Sequence, residues 1–249
     1  MKVVYHEKYK EVYSGDPAAR AGRIESIYDE LYGQFEFVEP VPSNEGDLRL
    51  VHTQSHIDSI KRRKLYGNAL LAVGGAIKAS DLAMEGEPAF GLIRPPGHHA
   101  SPSSCWGFCF FNNVAISVEK LRKDGKVWRA FIVDIDLHYG DGTASVFASK
   151  PEVSYYHMPG GTREEQLEKP SNHLSGERGY EILALSAGFD RHEKDWGGIL
   201  KTRDYEEIGK MIRDCAEREC EGRRYAVLEG GYNHSVLGKN VKALLKGME

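Results

Sequence analysis

Five short apolar runs punctuate the chain and predict strands: "KVVY" at 2–5, "AFGLI" at 89–93, "AFIVDI" at 130–135, "EILALSA" at 181–187 and "YAVLE" at 225–229. Between most of them the apolar positions recur every three or four residues, the period of a helix. Residues 68–84 ("NALLAVGGAIKASDLAM") and 112–123 ("NNVAISVEKLRK") carry this pattern. So does "DYEEIGKMIRDCAE", where Tyr205, Ile208, Met211, Ile212 and Cys215 form one stripe and Asp204 with Glu207 predicts a capping box. Strands alternating with helices predict a mostly parallel sheet covered on both faces, and 249 residues fit one domain spanning 1–249.

In such sheets a site forms beyond the carboxyl ends of the strands. Here "AFGLI" runs into "RPPGHHA", "AFIVDI" into "DLHYGDG", "EILALSA" into "GFDRH" and "YAVLE" into "GGYN". Together these turns bring His98, His99, Asp134, Asp136, His138, Asp141, Asp190 and Tyr232 to one edge of the sheet. Three carboxylates and a histidine at the end of a buried strand demand compensation, because an unpaired carboxylate in an apolar interior neutralises or finds a partner. Side chains alternate along a strand, so Asp134, Asp136 and His138 project to one side if the chain stays extended. Two carboxylates and an imidazole suit a divalent metal, and Asp190 is positioned to add a ligand. The adjacent His98 and His99 are either a solvent-exposed loop pair or, with spare carboxylates nearby, two dyads in which an aspartate fixes the tautomer of each ring. Tyr232 either packs on a helix start or is carried by the flexible Gly230-Gly231 toward the site, where a phenol stabilises an oxyanion.

Charge and cysteine usage exclude several classes. The 33 Lys plus Arg against 37 Asp plus Glu leave a net charge of −4 with no long basic block, which argues against direct nucleic-acid binding. "KRRK" at 61–64 reads as a solvated helix face or end. No run of about 18 apolar residues and no signal-peptide core occurs, so no membrane partner and a cytoplasmic location are expected. Cys105, Cys109, Cys215 and Cys220 show no CxxC spacing, so neither a disulfide framework nor a four-cysteine zinc site is expected. His6, His52, His56, His157, His173 and His234 lack a carboxylate at ligand spacing and are assigned core or surface roles.

"RPPGHHA", "GFCFFNNVAI", "VDIDLHYGDGT", "LSAGFDRH" and "LEGGYN", in this order, resemble the motifs of the histone deacetylase superfamily, especially its bacterial and archaeal branch with acetoin-utilisation and acetylpolyamine amidohydrolase relatives. The resemblance covers nearly the whole chain. It implies the three-layer α/β/α, arginase/deacetylase-like fold. It also implies that Asp136, His138 and Asp190 bind zinc, while Asp134 orients His98 and Asp141 orients His99. Tyr232 then serves the oxyanion. Gly107 and Phe108 resemble residues lining a narrow substrate tunnel, with Gly230 in the same substrate-binding set, and Arg23 resembles, more loosely, an arginine near an internal product channel. One stretch departs from the pattern. Between "EVSYYH" and "EILALSA" only "MPGGTREEQLEKPSNHLSGERGY" remains, where the family usually has a longer connection with a rim loop, another strand and a helix. The second tunnel wall is then either Met158 or absent.

The expected activity is removal of an acetyl group from acetylated lysine, a polyamine or a related primary amine by metal-activated water, with zinc as the metal and Fe(II) or Co(II) able to occupy the same ligands. A binding protein for acyl groups or metal, catalytically weakened by the shortened rim, is the alternative. A binuclear manganese ureohydrolase would need further carboxylate ligands, and the resemblance assigns Asp134 and Asp141 to the histidines.

Overall fold

The apolar runs lie side by side in one seven-stranded sheet, every neighbouring pair of which is parallel. The computed structural model describes all 249 residues. Its strands are β1 (Lys2–Val4), β2 (Glu36–Val38), β3 (Ala89–Gly91), β4 (Ala130–Asp134), β5 (Val153–His157), β6 (Ile182–Ala187) and β7 (Arg224–Leu228), in the spatial order β2-β1-β3-β7-β6-β4-β5. The helices are α1 (Arg23–Leu31), α2 (Glu45–Leu48), α3 (Gln54–Lys61), α4 (Tyr66–Met84), α5 (Asn113–Lys123), α6 (Asp141–Phe147), α7 (Arg163–Gly176), α8 (Thr202–Cys220) and α9 (His234–Met248). Helices α4 and α5 pack together on one face, and α1, α8 and α9 on the other, with α7 against α8. Strands β3, β4, β6 and β7 are buried at every residue, which explains their unbroken apolar character. The outer strands β2 and β5 are partly exposed.

Because all strands run the same way, their carboxyl ends share one rim. Asp134, the last residue of β4, is level with Ser186 of β6 and His157 of β5, and Ala187 of β6 is level with Leu228 of β7. The chain beyond these residues leaves the sheet on that rim.

Two expectations need correction. Helix α8 starts at Thr202, two residues earlier than its apolar stripe indicated, so Asp204 is not the cap. Its carboxylate accepts from the Lys201 backbone N–H at 2.8 Å and from the Arg163 guanidinium at 2.7 Å. Asp204 is fully buried at the third position of the helix, where its carboxylate closes the cap on Lys201 and also pairs with the first residue of α7. Met158 is not a tunnel wall. It follows edge strand β5, its N–H bonds the Asp134 carbonyl at 2.8 Å, and its side chain is completely buried in the hydrophobic core.

Helix α3 anchors the segment that becomes part of the site. His52, just before it, donates from Nδ1 to the Ser101 carbonyl (3.0 Å) and accepts the Asn112 backbone N–H on Nε2 (2.9 Å), while His56 Nε2 reaches the Phe110 carbonyl at 2.8 Å. With both ring nitrogens used in this way, His52 must be neutral. Burial, followed by the neighbouring His56, lowers its pKa from 6.5 to about 3. The unfolded chain therefore binds this proton more readily than the folded one. The His52 contribution to stability is complete above pH 6.5 and is lost as pH falls toward about 3, at up to about 1.4 kcal/mol per pH unit. Denaturant unfolding of wild type and His52→Asn between pH 7 and 4 checks this, with the wild type expected to show the steeper acid loss; parallel curves would assign the loss to other groups.

Candidate metal centre and its histidine dyads

The chain just past β4 carries most of the chemistry. Asp136 and His138 from this turn meet Asp190, from the turn after β6, with one donor atom of each within 4.8 Å of the others. His138 Nδ1 lies 3.2 Å from Asp136 Oδ1 and 3.0 Å from Asp190 Oδ2. Backbone amides fix the carboxylates: Gly230 N–H donates to Asp136 Oδ2 (2.8 Å) and Leu137 N–H to Asp190 Oδ1 (2.9 Å). Asp190 Oδ2, although fully buried, makes no aligned hydrogen bond, and the one donor near it, His138 Nδ1, is shared with Asp136. Buried polar atoms are nearly always satisfied, so this oxygen calls for a cation. Charge leads to the same conclusion. Burial and the neighbouring Asp136 charge push the Asp190 carboxyl above its usual range, and the carboxylates of Asp136 and Asp190 raise the His138 imidazole to about 10. A divalent ion in place of that proton would satisfy all three groups.

The cradle leaves no room for larger residues. A Cβ on Gly188 would stand 2.1 Å from Asp136 Oδ2, and one on Gly230 would stand 2.5 Å from it. Gly188→Ala is accordingly expected to displace Asp136 and abolish stoichiometric divalent-metal binding, as measured by metal analysis of the folded variant. Full metal occupancy there would show that Asp136 is not a ligand. Gly230, expected on the substrate side, is buried behind the carboxylates and serves Asp136 instead.

Two histidine–aspartate dyads adjoin the cluster. His98 Nδ1 is 3.0 Å from Asp134 Oδ2, and His99 Nδ1 is 2.7 Å from Asp141 Oδ1. The rings are neighbours, with centroids 4.0 Å apart. Their surroundings nevertheless push their pKa values in opposite directions. Burial works against a charged His98, but the carboxylates of Asp134, Asp136 and Glu229 outweigh it and hold its pKa well above the usual value. Burial and the charge of His98 push His99 down, against the pull of Asp141. Neighbouring titratable groups driven apart in this way can divide proton-transfer roles between them.

Tyr232 sits behind a rim of aromatic rings. The indole of Trp196 stacks on it at 4.0 Å, Phe108 meets it edge-on at 6.1 Å, and the Arg23 guanidinium lies 5.6 Å from its centroid. Its backbone N–H and that of Asn233 are both held by Asp195 Oδ2. Burial, then the charges of Asp136 and Asp190, keep its phenol protonated far above neutral pH. Arg23 is fully buried and donates to the carbonyls of Gly231 and Glu229. Gly107 packs its backbone on His99, where a Cβ would come within 2.4 Å of the ring. Phe108 has a left-handed backbone (φ 66°), which costs a residue with a Cβ roughly 1–2 kcal/mol and places its ring toward Tyr232. A surface cavity of about 660 Å³ opens on the outer side of Tyr232 and Trp196, and no ligand of the cluster lines it.

Several participants escaped the sequence reading. Trp106 lies tilted against His99, with ring centroids 3.9 Å apart, and donates its indole N–H to Asp141 Oδ2 at 2.9 Å. Tyr155 donates to Asp134 Oδ2, and His157, assigned a bland role, bonds the Asp136 carbonyl at 2.9 Å. Glu229 accepts the backbone N–H groups of Gly97 and His98 at 2.7 and 3.1 Å, and burial raises its carboxyl to about 7. Its signal was visible as a carboxylate ending the last apolar run. Glu229, His98 and Cys109 form a second compact group, but Asp134 and the backbone already occupy the histidine and carboxylate, and burial keeps the Cys109 thiol protonated.

Comparison with known proteins gives a consistent result. The family described as "Histone deacetylase domain" matches residues 61–160 and 177–248. A "Probable deacetylase" of Archaeoglobus fulgidus is 33% identical, covering 93% of this chain and 81% of the relative. That alignment runs over 291 positions, more than this chain has residues, so the relative contains segments absent here. A "Histone deacetylase-like amidohydrolase" of Pseudomonas aeruginosa is 26% identical over 86% of the chain and 71% of its own length. In fold, the HDA15 HD domain superposes with a TM-score of 0.84 at 22% identity, covering 98% of this chain and 88% of that one. The break in the family match, residues 161–176, coincides with α7, the helix occupying the shortened connection. The chain belongs to the histone deacetylase family.

Proposed function

We propose that the protein is a zinc-dependent amidohydrolase that removes the acetyl group from an acetylated primary amine, such as acetyl-lysine or an acetylpolyamine. The observation that carries this reading is the convergence of two buried carboxylates and one imidazole on a single point, with their donor atoms within 4.8 Å of one another, directly beside two histidine–aspartate dyads. Asp136, His138 and Asp190 would hold a divalent ion, which would supply Lewis acidity for the acyl carbonyl and the water. His99, kept neutral and oriented through Nδ1 by Asp141, has Nε2 available to accept the proton from water and later return it to the departing amine. His98, held by Asp134, contributes positive charge as the tetrahedral intermediate forms. Tyr232 donates its phenolic proton in a hydrogen bond to the oxyanion. Gly107 and Phe108 bound the approach of the acyl group beside His99 and Tyr232. The location we propose is the cytoplasm.

The test is acetate release from acetyl-lysine peptides, free acetyl-lysine and acetylpolyamines after chelation and after reconstitution with zinc, Fe(II) or Co(II). Loss on chelation and recovery with at least one metal is expected. A reconstituted, metal-loaded protein that hydrolyses none of these substrates would instead support the acyl- or metal-binding alternative.

A further inference from the structure

Arg191 is among the largest side chains that the fold buries completely. A charge so placed ordinarily has an ionic partner. Here every close oxygen acceptor is neutral. Nε donates to the carbonyls of Ile135 (3.1 Å) and Asp136 (3.0 Å); one terminal nitrogen donates to the carbonyls of Asp136 (2.9 Å) and Met158, and the other to the Pro159 carbonyl (3.1 Å) and Gln166 Oε1 (3.0 Å). The main-chain acceptors come from two segments that have just left the sheet, one after β4 and one after β5. Beyond the last ladder residues these carbonyls have no strand partner, and the buried ones need donors from elsewhere. One planar guanidinium with five N–H groups can serve them all.

The location gives this arrangement its meaning. Arg191 directly follows Asp190 in the chain, and the backbone it grips includes the carbonyl of Asp136. It therefore binds the segment carrying one ligand while anchored next to another. We infer that Arg191 is a positioning residue for the metal centre: its guanidinium clamps the Ile135–Asp136 backbone to Met158–Pro159, so that the Asp136 and Asp190 carboxylates hold their mutual geometry before a metal arrives. The inference rests on the reading of Asp136, His138 and Asp190 as metal ligands. A point charge cannot replace this clamp, because an ammonium lacks the planar fork that reaches two diverging segments at once.

Zinc titration of wild type, Arg191→Lys and Arg191→Ala, with the zinc-induced rise in Tm measured for each, provides the test. A wild type that binds no zinc would refute the metal-site reading itself. With zinc bound to the wild type, the zinc dissociation constant should rise about 10–100-fold in Arg191→Ala, the scale for groups that orient metal ligands, and by at least tenfold in Arg191→Lys. The zinc-induced Tm rise should shrink in both. A purely structural role would lower Tm equally with and without zinc and leave that increment unchanged. Low-millimolar guanidinium, a small mimic of the lost group, should recover part of the affinity in Arg191→Ala. If the alanine variant does not fold, the lysine variant decides: zinc affinity within twofold of wild type there overturns the inference.

Discussion

His99→Ala is expected to lower kcat by about 10²–10⁴, the usual range for a positioned general acid–base group, while zinc content stays at the wild-type level. His99 meets the candidate metal cluster through ring packing, its centroid 6.1 Å from that of His138, so its removal should leave Asp136, His138 and Asp190 in place. Its partner Asp141 is about half exposed and also accepts from Trp106, so the dyad is open to solvent on one side. For that reason Asp141→Asn should be milder than His99→Ala, whereas the indole of Trp106 continues to cover the ring. Steady-state kinetics with metal analysis on the same preparations tests both; a His99→Ala enzyme within tenfold of wild-type kcat would remove His99 from proton transfer.

Tyr232→Phe should reduce kcat by about 10²–10³, the scale of one lost oxyanion donor, with little change in KM. The ring itself should remain in place. Its stacking on Trp196, its contact with Phe108 and the Asp195 bonds to its backbone do not involve the hydroxyl. The substitution is thus a clean deletion of one donor. A variant in which KM rises tenfold and kcat is unchanged would place the phenol in substrate binding rather than in stabilising the reaction's developing charge.

Strands buried on both faces were legible because burial enforces an apolar run: β3, β4, β6 and β7 all lie within one or two residues of the predicted segments. Strand β2 left no such trace. It is a three-residue edge strand with Glu36 exposed, so its sequence resembles a loop. The clustering of Asp136, His138 and Asp190 and the two histidine–aspartate pairs was legible because each residue stands where an apolar run ends in a glycine-bearing turn. What was hidden depended on distance in the chain. Arg191 reads as one more charged loop residue until Met158 and Gln166 are seen around it, and Trp106 gives no hint that its indole reaches Asp141. Met158 was misplaced for the same reason: residue type suggested an apolar wall, whereas its position after an edge strand packed it inward.

The place of β7 has a consequence for how the chain is made. It lies in the interior of the sheet between β3 and β6, yet it is the last strand to be synthesised. Until residues 224–228 emerge, the nascent chain cannot join its two half-sheets, and the fully buried strands β3 and β6 each keep an unpaired edge. Such open apolar edges invite misassembly. Vectorial synthesis therefore leaves both edges open until β7 is inserted, and only then can Tyr232, just beyond it, approach the residues of the earlier turns.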